Sequence, residues 1–202
     1  WNGSKPGDGL QFALSAGVFA QFQLGTASYD LLNADYVVGL PITFRRGWFS
    51  TRVRLYHQSS HLGDEYLLRE PPDLQDRENL SFEAIDWILS ADIGVLRLYG
   101  GGERLFNRSP EDLEPYTAHG GVELRPTPRI IPLGSLGGFR FVAAADVKAS
   151  AEQDWDPAVS TRAGLEYDRA GDATARRWGI FAEFYTGPSP YGQFFREKVR
   201  LA

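Results

Sequence analysis

The 202-residue chain contains no cysteine and no methionine. Without disulfides, order must come from a sizeable core or from some other solvent for the apolar side chains. The lack of thiols fits a reducing compartment and a thiol-free export route equally. With no methionine at position 1, the chain reads as a trimmed fragment, and any leader is expected to precede Trp1. No run of 18 apolar residues occurs, which excludes a membrane-spanning helix. A spanning strand is not excluded, because about ten residues of alternating character suffice. An excess of positive charge is also missing. The formal net charge of -5 argues against a nucleic-acid partner, since phosphates need a basic surface. The length fits one domain over residues 1–202, with no linker or low-complexity tract.

Period two runs through most of the sequence. In "DYVVGLPITFRR", Tyr36, Val38, Leu40, Ile42 and Phe44 share one face, and Asp35 and Arg45 lie on the other. In "WFSTRVRLYHQSS", Phe49, Thr51, Val53 and Leu55 oppose Arg52, Arg54, Tyr56 and Gln58. The alternation recurs in "SFEAIDWILS", "GVLRLYG", "HGGVELR", "GFRFVAAADVKA", "VSTRAGLEYD" and "RWGIFAEFYTG". Each segment carries an uncharged stripe and a stripe with ionic residues. A further strand is expected near Ala16–Leu24 and a last one from Phe194, for about ten strands (10–12) in all. That last strand is expected to continue past Ala202. Arg46–Gly47 and Ala91–Asp92 read as tight bends. Residues 26–33, 61–79, 104–115, 150–156 and 187–193 read as long polar loops, and 125–136 and 169–175 as longer turns at the opposite end.

Two architectures share this pattern. A soluble β-sandwich or lipocalin-like barrel would turn the apolar stripe inward. A transmembrane up-and-down antiparallel β-barrel would turn it outward and pair its charges in the lumen. Mid-strand charges of both signs on one face (Arg52, Arg54, Arg97, Glu123, Arg125, Arg140, Glu166, Glu183) favour the second. So do aromatics at strand ends or on the apolar face (Trp48, Phe49, Trp87, Tyr167, Trp178, Phe184). The expected layout is short periplasmic turns and long extracellular loops.

"RVRLYHQSSHLGDE" concentrates the polar chemistry. By parity His57, Ser59 and His61 follow Val53 and Leu55 on the apolar face. The i, i+2 spacing sets His57 and Ser59 about 7 Å apart at the backbone, so an imidazole can reach a serine hydroxyl and activate it. On the next strand, Glu83 shares that face and can orient the ring, whereas Asp86 has the opposite parity. His61, Asp64 and Glu65 form an alternative metal constellation with oxygen ligands suited to calcium, without EF-hand spacing. A plain polar rim is the third reading of the cluster. His119 stands alone and is expected to pair in the lumen. "GGGER" lacks the Lys-Ser/Thr of a phosphate loop and reads as a strand end. "PPDLQDREN" reads as a solvated acidic loop.

"YHQSSH" resembles the H-x-S motif of outer-membrane phospholipase A and of the lipid A 3-O-deacylases. Ser60 and His61 stand where those families place Asn or Asn-Gly. The resemblance implies His57 as base, Ser59 as nucleophile and Glu83 as orienter, with calcium near Asp64 or Glu65. "NADYVVGLPITFRRGWFS", "RLYHQSSHLGDEYLLR", "NLSFEAIDWILS" and "SPYGQFF" resemble a family of Gram-negative outer-membrane proteins catalogued as domain of unknown function 1207. That resemblance implies a barrel in the outer membrane, in contact with lipopolysaccharide and phospholipid. The expected role is structural or accessory, alone, as a homodimer or with envelope partners. A lipid acyl-ester hydrolase and a narrow pore are the alternatives.

Overall fold

The computed structural model describes residues 7–27, 29–69, 80–126, 129–169 and 177–202. In chain order the elements are β1 (Gly9–Phe12), β2 (Ser15–Gln23), β3 (Asp30–Arg46), β4 (Phe49–Leu62), α1 (Asp64–Arg69), β5 (Ser81–Ile93), β6 (Leu96–Ser109), β7 (Tyr116–Leu124), β8 (Ile131–Pro132), β9 (Gly138–Ser150), β10 (Ala158–Asp168), β11 (Trp178–Pro188) and β12 (Lys198–Leu201). Short 3-10 turns follow at Gly134–Leu136, Ala151–Gln153 and Gly192–Phe194.

The strands form one 12-stranded antiparallel sheet in the order β1-β3-β4-β5-β6-β7-β9-β10-β11-β12, with β2 on β3 and β8 on β9. β1 and β2 are two halves of one edge strand, because Phe12 pairs with Ile42 and Ser15 with Gly39 in a constant register. The break lies opposite Pro41, which accepts a bond from the Ala13 N–H at 3.1 Å but has no N–H to return. β8 likewise continues the line of β7 along β9. The sheet therefore has ten lateral positions, in keeping with the periodicity count.

Several boundaries differ from expectation. The tight turn after β5 falls at Gly94 (φ +62°) and Val95, not at Ala91–Asp92. Asp92 stays in the ladder opposite Arg97 and is bonded by Arg45, and glycine takes the left-handed turn position at little cost. Residues 104–109 belong to β6, not to a loop. Phe194 closes a 3-10 turn, and the last strand starts only at Lys198. The six residues of α1, inside the expected loop, are too few to show a 3.6-residue period. The acidic stretch 71–79 lies outside the described residues.

The side-chain parity holds on β3, β4 and β5, whereas β2 and β11 are exposed on both faces and Arg162 and Glu183, expected inside, are exposed. Trp87 is 57% exposed and Leu55 47%, while Asp86 is 2% exposed and Glu166 8%. The apolar stripe is the outer surface and the ionic stripe the buried one, the reverse of a soluble barrel. The sheet also curls strongly. Gly192, four residues beyond β11, donates its N–H to Asp35 of β3. β11 and β3 stand seven strand spacings apart, about 34 Å if the sheet were flat. Four extended residues reach only about 14 Å, so the sheet must bend its ends towards each other. Among the described residues no ladder joins β12 to β1 or β2, and the sheet is open there.

Candidate functional site

On the outer wall, cross-strand register stacks the side chains in rows. Ile42, Val53 and Trp87 align, then Leu40, Leu55 and Ile85, then Val38, His57 and Glu83, then Tyr36, Ser59 and Ser81. The apolar rows thus give way to polar ones towards the end that carries the β4–β5 connection. Within the apolar rows the one polar handle is satisfied, since Trp87 Nε1 donates to Thr51 Oγ1 at 2.8 Å.

His57 Nδ1 lies 3.3 Å from Glu83 Oε1, so two of the three expected catalytic residues come together. Among the described residues Glu83 Oε2 has no hydrogen-bond partner, so the carboxylate is held through the imidazole. Ser59 pairs across the ladder with Tyr36 and Ser81. Among the described residues no hydrogen bond links its hydroxyl to His57. The arrangement is an imidazole paired with a carboxylate, beside a serine on the same face of the strand.

His61 packs its ring edge-on to Tyr36 at 5.8 Å between centroids. Asp64 opens α1 on the far side of Gly63, and the Glu65 side chain lies outside the described residues. Among the described residues no three His, Asp or Glu side chains are grouped to hold a metal ion.

The inner wall has two zones. Towards the short-turn end, carboxylates meet arginines. Asp86 accepts from Arg54 at 2.5 Å and Arg52 at 3.4 Å. Glu166 faces Arg125 at 3.1 Å. Asp168 is held by Arg129 at 2.8 Å and by Arg140. Multiple partners of this kind offset the desolvation of each buried charge. His119 sits on this face 3.9 Å from Asp146, as its parity requires. Towards the long-loop end one wall of the inner face is apolar. Tyr56, Leu80, Phe82, Ala84, Leu105 and Leu113 form a buried apolar cluster there, with Val37 and Phe195 against it.

The β11–β12 connection closes over that cluster. Asp35 (3% exposed) accepts the Gly192 N–H through both carboxylate oxygens at 3.1 and 3.2 Å. Asn33 Oδ1 accepts the Gln193 N–H at 3.1 Å, and Gln193 Nε2 donates to the Ser60 carbonyl at 2.8 Å. The Ser60 hydroxyl sits between Asn33 Oδ1 (3.0 Å) and the Asp35 carboxylate. Parity alone places Asp35 and Ser60 inside. Their partner was beyond sequence reasoning, because the contact spans 157 residues. "SPYGQFF" held the signal: a glycine among aromatics, after two prolines, marks a backbone that must approach something closely.

Comparison with known proteins is consistent with this picture. No curated protein and no solved structure matches the chain. A match over residues 4–202 shows that the chain belongs to the family described as protein of unknown function (DUF1207).

Proposed function

We propose that the protein is an integral β-barrel of the Gram-negative outer membrane with a structural or accessory role in the envelope. The observation that carries this reading is the inverted burial: apolar rows outside, ionic pairs inside. A contiguous outer surface of this kind would be costly in water and is solvated by acyl chains in a bilayer. From Tyr167 to Val159 the outer stripe of β10 covers about 26 Å along the strand, or about 20 Å at a tilt of roughly 40°, near the ~25 Å height of a barrel's lipid-facing band. An aromatic group bounds one rim, with Phe139, Tyr167 and Trp178 at 5.3 to 5.5 Å between ring centroids. The row of His57, Glu83, Ser59 and Ser81 bounds the other. Ten lateral positions make an even number, and alternating strand direction leaves β12 antiparallel to β1 and β2, so closure needs no change of topology. In this orientation the long connections face outward to lipopolysaccharide, and the short turns face the periplasm.

Fluorescence of the protein reconstituted with brominated phospholipids tests the reading. Trp87, kept as the sole tryptophan, should be strongly quenched by bromine in the acyl chains. A Trp87 quenched only by an aqueous quencher would overturn the assignment.

The His57–Glu83 contact supports a second reading, hydrolysis of a lipid acyl ester at the outer rim. His57 would take the Ser59 proton as the hydroxyl attacks the ester carbonyl. It would return that proton to the departing alcohol, and water would then release the fatty acid from Ser59. A chromogenic acyl ester offered to the purified protein, with and without calcium, tests this. Turnover lost in Ser59→Ala, with folding intact, supports it. No turnover in the wild-type protein overturns it.

A further inference from the structure

The long-loop end of the inner face holds a cavity of about 320 Å³, lined from β4 round to β11 and roofed by the β11–β12 connection. Its size falls at the small end of ligand pockets, about 300–1,000 Å³. One wall is apolar and closed: Leu80, Phe82, Leu105 and Leu113 are each 4 to 9% exposed. Tyr185 and Tyr191 add aromatic faces, while the Tyr56 ring already carries the Arg54 guanidinium at 4.2 Å.

One charge in this cavity is handled differently from its neighbours. Towards the short-turn end Glu166 and Asp168 meet guanidiniums, and Asp86, directly across the ladder from Glu103, meets Arg54 and Arg52. Among the described residues Glu103 makes no ion pair, whereas Asp146 lies 3.9 Å from His119. Glu103 accepts the Tyr56 hydroxyl at 2.6 Å, and Asp146 accepts the Tyr99 hydroxyl at 2.6 Å. A hydroxyl fills a lone pair but leaves the negative charge in place. The remaining acids do not change this balance. Glu152 and Asp156 have their own cations, Arg196 at 3.5 Å and Lys198 at 2.8 Å, and Glu114 is exposed at the mouth. Among the described residues Lys148 is the only basic side chain lining the cavity, and it too is exposed.

An apolar, aromatic wall beside Glu103, whose charge no ion pair among the described residues offsets, is complementary to one ligand class. We propose that this cavity binds a small organic cation, an amine or quaternary ammonium carried on an apolar body. The body would lie on Phe82, Leu105 and Leu113. The charge would lie towards Glu103, with the tyrosine faces adding cation–π attraction. This inference concerns the inner face alone and does not depend on what solvates the outer wall.

Calorimetry on the full chain in a non-ionic detergent, with micelle blanks subtracted, tests it. The probes are benzyltrimethylammonium and, as its anionic counterpart, 3-phenylpropionate. The cation should bind with a Kd below 1 mM (an order-of-magnitude figure for a pocket of this size) and at least about tenfold more tightly than the anion. Glu103→Gln should weaken the cation about fivefold or more while leaving the anion unchanged or improved, and Leu105→Trp should abolish binding by filling the space. Retained strand signal in circular dichroism qualifies each variant. Should either variant fail to fold, the wild-type comparison of the two probes decides. Absence of cation binding, equal affinity for both probes, or an indifferent Glu103→Gln would each overturn the proposal.

Discussion

Gly192→Ala tests the contact on which the curled shape rests. Gly192 is buried, and a Cβ there would stand 2.6 Å from Asp35 Oδ1 and closer still to Ser60 Oγ. Both neighbours are fixed, since Ser60 and Asp35 sit on paired strands and are 1 and 3% exposed. The connection must therefore lift. Lifting breaks the N–H bond from Gly192 to a buried carboxylate and both bonds of Gln193. A bond to a charged acceptor contributes about 1.5–3 kcal/mol and a neutral one about 1 kcal/mol. Complete release would then cost about 4 kcal/mol, and partial relaxation leaves roughly 2–4 kcal/mol. Each 1.4 kcal/mol is tenfold in population, so the released form should grow roughly 30- to 700-fold. Trypsin reads this directly by cleavage after Arg196, at a rate that follows the open population when closing is fast. Asp35→Ala should act in the same direction, because it removes the acceptor and leaves the Gly192 N–H buried without one. A folded Gly192→Ala protein cut after Arg196 no faster than wild type would refute the role given to this contact.

Two further outcomes follow from the two faces of the wall. Leu55→Arg puts a charge in the middle of the outer apolar rows and should destabilise the vesicle-inserted protein by about 2–4 kcal/mol. Urea titration of protein in vesicles measures this, and an effect under about 0.5 kcal/mol would contradict a lipid-facing Leu55. Asp86→Ala strips Arg52 and Arg54 of their shared partner. Since Arg52 is 39% and Arg54 28% exposed at the side chain, water screens part of the loss, and the expected cost is about 2–3 kcal/mol rather than that of a fully buried pair. The same titration should show Asp86→Asn milder than Asp86→Ala.

What was legible in the sequence was whatever repeats every two residues. Alternation alone puts Val53, Leu55 and Trp87 on one face and Arg54, Asp86 and Glu166 on the other, because a strand has only two faces, and the mid-strand charges of both signs then favour the second face as the inner one. The same rule brings His57 and Glu83 onto one face of neighbouring strands, and the register then sets them directly opposite each other. Features that depend on how the strand order bends were not legible. The apolar cluster around Phe82 and Leu105 shares its stripe with Asp86 and Glu103, so parity cannot separate it from the ionic lumen. The meeting of Gly192 with Asp35 depends on the curvature of the whole sheet, to which no local pattern refers. Boundaries failed where one residue decides the geometry: Gly94 moved a turn by three positions, and Pro41 split one edge strand into two.

The two zones of the inner wall also bear on how the proposed barrel would work. At the short-turn end, Arg125, Arg129 and Arg140 crowd around Glu166 and Asp168. Such a network holds its shape because removing any one charge strands the others. A cavity of about 550 Å³ remains beside this network, lined by Arg125, Glu166 and Arg177, but in the proposed barrel an ion crossing it must compete with guanidiniums already in place. At the opposite end no such network stands, and the roof is a segment bonded through Gly192 and Gln193. Accessibility from that side therefore depends on a few hydrogen bonds to Asn33, Asp35 and Ser60. Access from the other side would require breaking several ion pairs at once. In the proposed barrel this asymmetry favours a pocket reached from the long loops over a channel, so a bilayer containing the protein should show no steady conductance even when Gly192→Ala frees the roof. Sustained ohmic current through that variant would mean that the arginine network does not seal the lumen, and the pore reading would regain its footing.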